Sequence, residues 1–197
     1  MKKWVDLYQR HAAMREGGAT LPADIRARLV RLSEMGHCDA SIQGRFSSRT
    51  VGRLREWHVR PRFGTAGPER LKGVAHLESA HLSIQVLSDS RTSRIHQFTA
   101  EVQGQASGGQ GWLVAVHLDD DRDPDVQDRG LGACSHPSFH CHVGTSLEAV
   151  PKVRVPLPDV GPVGALDWLL SLVIPDWEPA PWPAVRKALD VEQGTQG

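Results

Sequence analysis

Cysteine is scarce in this 197-residue chain: Cys38, Cys134 and Cys141 make an odd set of three, with no Cys-x-x-Cys pair among them. A secreted scaffold held by disulfides uses more, and uses them in pairs. Long apolar runs are also missing. The longest, Leu169 to Ile174, is broken by Ser171 and is about a third of the roughly 20 residues a membrane helix needs. The opening Met1-Lys2-Lys3-Trp4 runs on into charged residues rather than an apolar h-region, so no secretory signal is read there. These absences lead to the expectation of a cytoplasmic protein with no membrane partner. An apolar fraction of 40% still allows a real core and argues against wholesale disorder. The length fits one large domain, or one domain with a small appendage.

Net charge is absent too, but only in the sum. Residues 1–75 carry 15 Lys/Arg against 7 Asp/Glu, and residues 76–197 carry 8 against 16. The first part is basic by eight charges and the second acidic by eight. That split points to a part that faces nucleic acid, or equally to two halves that attract each other.

Hydrophobic spacing changes period along the chain. Trp4, Leu7, Tyr8, His11 and Ala12 predict a helix over 2–16, stopped by Gly17-Gly18. Ile25, Leu29 and Leu32 predict a second over 22–35, with Pro22 in its first turn and Gly36 as its cap. Arg26, Arg28 and Arg31 would keep its other side cationic. A short helical stretch is expected over 39–45, and another helix over 49–57 with Val51 and Leu54 inward. His58 to Gly73 holds prolines and glycines and reads as a linker. From there the period is two: Leu82, Ile84 and Val86, then Phe98, Ala100 and Val102, then Trp112, Val114, Val116 and Leu118 alternate with polar residues. A fourth strand is expected within 131–143. A Pro-rich passage over 151–162 leads to a helix over 164–174, with Leu166, Leu169, Leu170 and Val173 as its stripe and Trp168 and Leu172 widening it. A short helix is expected at 183–189. The expected fold is α+β: a basic helical segment (1–60), a linker (61–78), and an acidic domain (79–197) built as an antiparallel four-stranded meander packed on a C-terminal helix.

Leu29, Leu32, Gly36, Ile42, Phe46, Ser47, Thr50, Val51, Arg53 and Leu54 carry a resemblance to the helix-turn-helix of transposases, recombinases and small bacterial regulators. The run Phe46-Ser47-Ser48-Arg49-Thr50-Val51 resembles the entry to a recognition helix, although Ile42 stands eight residues before the Thr-Val pair where the family has about ten. The resemblance implies that Ser47 caps the helix and that Arg49, Gly52, Arg53 and Glu56 share its outer face. Arginines there can fork onto guanine edges. Arg45, Thr50, Arg55, Arg60 and Arg62 complete the expected DNA contacts, chiefly by neutralising phosphates. The alternatives are an Arg-rich helical hairpin docked on the acidic domain, and binding of RNA or another anion.

The densest chemistry lies in Cys134-Ser135-His136-Pro137-Ser138-Phe139-His140-Cys141-His142. An extended 139–143 would turn Phe139, Cys141 and Val143 inward and put His140 and His142 on the other face. Two imidazoles at i and i+2 can hold one metal ion, zinc being the natural candidate, with His136 or Cys134 as a third ligand. The same pair could act on a phosphoryl or acyl group, or simply hydrogen-bond a neighbouring loop. His136-Pro137, Pro156, Pro158, Pro162 and the helix from Leu166 to Ile174 resemble the layout of ubiquitin-conjugating-enzyme-like domains. Ser146 stands where that family has its cysteine, so the resemblance implies a catalytically inactive, partner-binding scaffold. His136-Pro137-Ser138-Phe139-His140 with Arg154-Val155-Pro156 also resembles bacterial His-Pro-x-x-His families found near phage-defence genes.

Asp119, Asp121 and Asp123 imitate a calcium loop, but Pro124 and Gly130 stand where its glycine and closing glutamate belong. A solvated acidic hairpin tip is the expectation. Trp177 and Trp182, set among prolines, are candidates for a partner-docking edge. The leading expectation is a DNA-binding protein, or the DNA-binding subunit of a bacterial mobile-element or defence system, more readily non-enzymatic than an enzyme and needing no cofactor. A second protein subunit is a candidate partner. The rivals are a non-enzymatic scaffold and a metal-dependent hydrolase using His136, His140 and His142.

Overall fold

The computed structural model describes residues 20–59, 69–119, 139–145, 154–157 and 160–178. Helix α1 (Leu21–Glu34) forms where the period predicts it. Leu21, Ile25, Leu29 and Leu32 fall on one stripe and are fully buried. Burying each contributes about 1.5–3 kcal/mol. Gly36 ends the helix at φ +79°, with the Gly36 amide donating to the Ser33 carbonyl and the His37 amide to that of Leu32. This reciprocal pair satisfies carbonyls that the helix end leaves open. A single turn, α2 (Ile42–Arg45), follows and buries Ile42.

The chain then enters an antiparallel sheet. Its strands are β1 (Phe46–Val51), β2 (Leu54–Val59), β3 (Glu69–Leu71), β4 (Leu77–Asp89), β5 (Ile95–Ala106), β6 (Gly111–Asp119), β7 (Phe139–Gly144) and β8 (Arg154–Pro156). They run in the order β1-β2-β4-β5-β6-β7-β8, and β3 pairs with β4 beyond the end of β2. The class is α+β, as expected, but eight strands among the described residues replace the expected four. The three alternating runs are β4, β5 and β6, and the expected fourth strand is β7. Glu69–Leu71 and the start of β4 both fall within the 61–78 stretch.

The larger correction concerns 49–57, expected as a recognition helix. It is a β-hairpin, with Phe46 to Val51 paired in register to Val59 to Leu54. The two-residue loop is Gly52-Arg53, and the positive φ, +62°, falls on Gly52. A glycine at the first loop position is the preference of a type II′ turn, whose twist matches the strands it joins. The extended form wins because it puts Phe46, Trp57 and Val59 on the core face, with the Phe46 and Trp57 rings stacked 5.7 Å apart. Val51 and Leu54, expected to point inward, remain 62% and 38% exposed. A helix-turn-helix is therefore not formed by residues 25–57.

Helix α3 (Gly161–Val173) covers the same sheet face as α1. Leu166, Leu169, Leu170 and Val173 are buried as read from the sequence, whereas Leu172 faces solvent. One hydrophobic core joins α1, α3, the inward residues of β4, β5 and β6, and Cys141. Within it, Arg28 departs from expectation. It lies on the buried side of α1, not the cationic outer side, and grips Asp167 of α3 with Nη2–Oδ2 at 2.9 Å and Nε 3.3 Å from both carboxylate oxygens. Trp177 Nε1 donates to the same carboxylate at 3.2 Å. Trp177 is thus a core residue and not a docking edge. Arg26 is also engaged, its guanidinium lying over Trp57 at 5.2 Å and Phe46 at 5.8 Å. The helices expected at 2–16 and 183–189, and Trp182, lie outside the described residues.

Removing one partner of a buried ion pair strands the other charge, which costs roughly 3–5 kcal/mol. Arg28→Ala is therefore expected to lower stability by about that much in urea denaturation. The double variant Arg28→Met with Asp167→Leu should lose distinctly less, because it leaves no orphaned charge. Equal losses would mean that the pair's charge is not what the site depends on.

Candidate nucleic-acid interface

The β-hairpin changes what the arginines of residues 45–60 can do. On a helix over 49–57, Arg49 and Arg53 would share the outer face. On the β1–β2 hairpin they are distributed around one end of the sheet. Arg49 and Glu56 pair across the strands on one face. Thr50 and Arg55 pair on the other, and both are exposed. Arg53 stands at the tip with its side chain 77% exposed. Ser47 is half-buried in β1, and Arg45 is half-buried at the end of α2. Arg60 and Arg62 lie outside the described residues.

A second turn abuts this tip. Leu54 is paired with Asp89 at the end of β4, and the Ser90 amide donates to the Arg53 carbonyl at 2.8 Å. The β4–β5 turn, residues 90–94, brings two more exposed arginines, Arg91 and Arg94. Neither stands out in the sequence, because both lie in the part of the chain whose net charge is acidic. Their nearness to Arg53 follows from strand order, which spacing along the chain does not reveal.

Five exposed arginines, Arg49, Arg53, Arg55, Arg91 and Arg94, thus gather at two adjoining turns, with Val51 and Leu54 between them. Among the described residues Glu56 and Asp89 stand at this end, and Asp119 at the end of β6 falls in the same row as Glu56, through Leu87 and Gln97. Glu56 accepts from Arg49 Nε and from Gln85 Nε2 at 3.1 Å. The Arg49 hydrogen bond is the main reason its pKa is lowered. Asp89 Oδ1 accepts the Thr92 amide at 2.7 Å and the Arg91 amide at 2.8 Å. Those two bonds, with Arg53 nearby, hold its pKa down to about 2. Arg53 itself stands 3.8 Å from Asp89, a distance and exposure at which an ion pair contributes little. Glu56 and Asp89 serve local structure, and among the described residues the arginines at this end outnumber the carboxylates.

The histidines of 136–142 form a separate feature. β7 is extended as expected, with Cys141 inward and His140 and His142 on the other face. Burial raises the Cys141 thiol pKa, which suits an inert core residue. His136, Cys134, Ser146 and the aspartate run from 120 lie outside the described residues. The structure adds His117 of β6, directly across from His140. No family model, curated protein or solved structure matches the chain.

The Asp89 geometry makes a pH prediction. Its folded pKa lies below the ordinary 3.8, so its stabilising effect is complete above that value and is lost as pH falls through about 2. Thermal unfolding followed from pH 7 down to about 2 should show Asp89→Asn less stable than wild type at neutral pH. The two curves should converge in acid. Parallel curves would rule out the turn carboxylate as the source.

Proposed function

We propose that the protein binds nucleic acid, duplex DNA in the first instance, through the arginine-rich end of its sheet. What supports this reading is the gathering of Arg49, Arg53, Arg55, Arg91 and Arg94 at two adjoining hairpin turns, where the carboxylates of Glu56 and Asp89 are already engaged. Arginine suits the purpose: its planar fork matches phosphate oxygens and guanine edges, and its charge persists at any working pH. Val51 and Leu54 offer apolar contact at the centre of the patch, where a base face or thymine methyl would be met. The binding element is then a pair of β-turns rather than a recognition helix. β-ribbon readers enter DNA grooves in a comparable way.

Binding dominated by phosphate contacts depends steeply on salt, with about 0.9 ions released per neutralised phosphate on duplex DNA. The full chain titrated with a duplex at several salt concentrations should give a log–log slope of several units. Arg53→Ala with Arg91→Ala should reduce that slope by about two and weaken binding by an order of magnitude or more. A control pair far from the patch, Arg70→Ala with Lys72→Ala, should change little. A slope near zero, or losses no larger than the control's, would sink the proposal.

A further inference from the structure

We infer that His117, His140 and His142 form a binding site for a single zinc-class divalent metal ion, with His117 in the place that sequence spacing gives to His136. His117 of β6 stands opposite His140 of β7, and His142 follows two residues on, so all three imidazoles project from the same sheet face, away from the core. The ring centroids are 5.5 Å apart for His117–His140, 5.0 Å for His117–His142 and 4.9 Å for His140–His142. Three imidazoles bound to one tetrahedral ion through Zn–N bonds of about 2.0–2.1 Å place their centroids roughly 5 Å apart. The observed triangle has that size.

Three further observations bear on the site. His140 and His142 are only 3% and 6% exposed. That burial suits a dehydrated ion held by neutral imidazoles better than it suits a substrate that must enter and leave. His117 Nδ1 lies 3.3 Å from the Thr99 hydroxyl. In the tautomer in which Nδ1–H donates to that oxygen, Nε2 carries the lone pair for a metal, the usual arrangement behind a ligating histidine. Across the sheet, Glu101 of β5 pairs with Ala115 and Ala115 with His142. A half-buried carboxylate therefore lies on the same face, with only a methyl group on the strand between. As the side chains stand, no group of three or more His, Cys, Asp or Glu among the described residues is placed to hold a metal ion, and the His117 and His140 rings are stacked at 18°, so that their in-plane lone pairs do not meet. Closing on an ion therefore requires the rings to turn about Cβ–Cγ, a soft torsion.

The test uses the full chain, stripped with chelator and titrated with Co²⁺ while its visible d–d absorption is followed, with Zn²⁺ competition to finish. The expected result is one equivalent bound with tetrahedral bands that Zn²⁺ displaces. Affinity should fall at least tenfold in His117→Gln and in His142→Gln, and stay unchanged in His136→Ala. Thr99→Val, which removes the partner of His117 without touching a ligand, should weaken binding by about tenfold or more. It also serves as the deciding variant if His117→Gln proves unfolded by circular dichroism. No stoichiometric binding, unchanged affinity in Thr99→Val, or a site lost in His136→Ala but kept in folded His117→Gln would each overturn the assignment.

Discussion

One buried ion pair ties the two helices of the fold together across the core. Arg28 and Asp167 are separated by 139 residues of sequence and meet with both side chains almost wholly removed from solvent. Taking two charges out of water is costly, and their attraction offsets that cost only when the geometry is good and the remaining lone pairs are used. Here the guanidinium meets the carboxylate through two nitrogens, and the Trp177 indole takes a further place on the same carboxylate. Packing of leucine stripes alone would let α1 and α3 slide or rotate at modest cost. A directional, desolvated pair does not tolerate such a shift. The pair thus adds a directional contact to the apolar packing of the two helices, and Trp177 of the segment after α3 joins it.

With the helices committed to one face of the sheet, the other elements follow. β4 is the long central strand: β5 lies along one side, while β2 and β3 share the other. The sharing brings the β1–β2 turn level with the β4–β5 turn and so creates the arginine-rich end. The helices cover the middle of the sheet but not this end, where Val51, Leu54 and the surrounding arginines remain in solvent.

What could be read from the sequence followed the strength of local periodicity. α1, α3 and the strands β4, β5 and β6 each bury a stripe long enough to declare its period, and β7 shows its alternation through Cys141 flanked by two histidines. The 46–59 hairpin was hidden because its first strand carries Ser47, Ser48, Arg49 and Thr50, a polar run whose one clear mark is the Gly52-Arg53 loop. Val51 and Leu54, three apart, imitate a helical stripe that tertiary contacts do not use. Phe46, Trp57 and Val59 decide the matter, and their value appears only once the sheet is there to receive them. Arg28 looked like one more outer cation because its partner lies far along the chain. His117 is illegible in the sequence for the same reason: strand pairing brings it to His140, and no local motif announces it.

The two faces of the sheet make different demands on the chain. The helix-covered face is filled with aliphatic and aromatic side chains, so a substitution there acts through volume and the cavity it leaves. On the opposite face the β6–β7 pair buries Leu113 and Ala115 beside His140 and His142. Polar rings in such a place are tolerated only if their nitrogens are satisfied. The arginine-rich end and the histidine face are not far apart: the turn carrying Arg91 and Arg94 leads into β5, and β5 lies beside β6, where Thr99 meets His117. Neighbouring sites that share a strand are the ones whose substitutions couple rather than add.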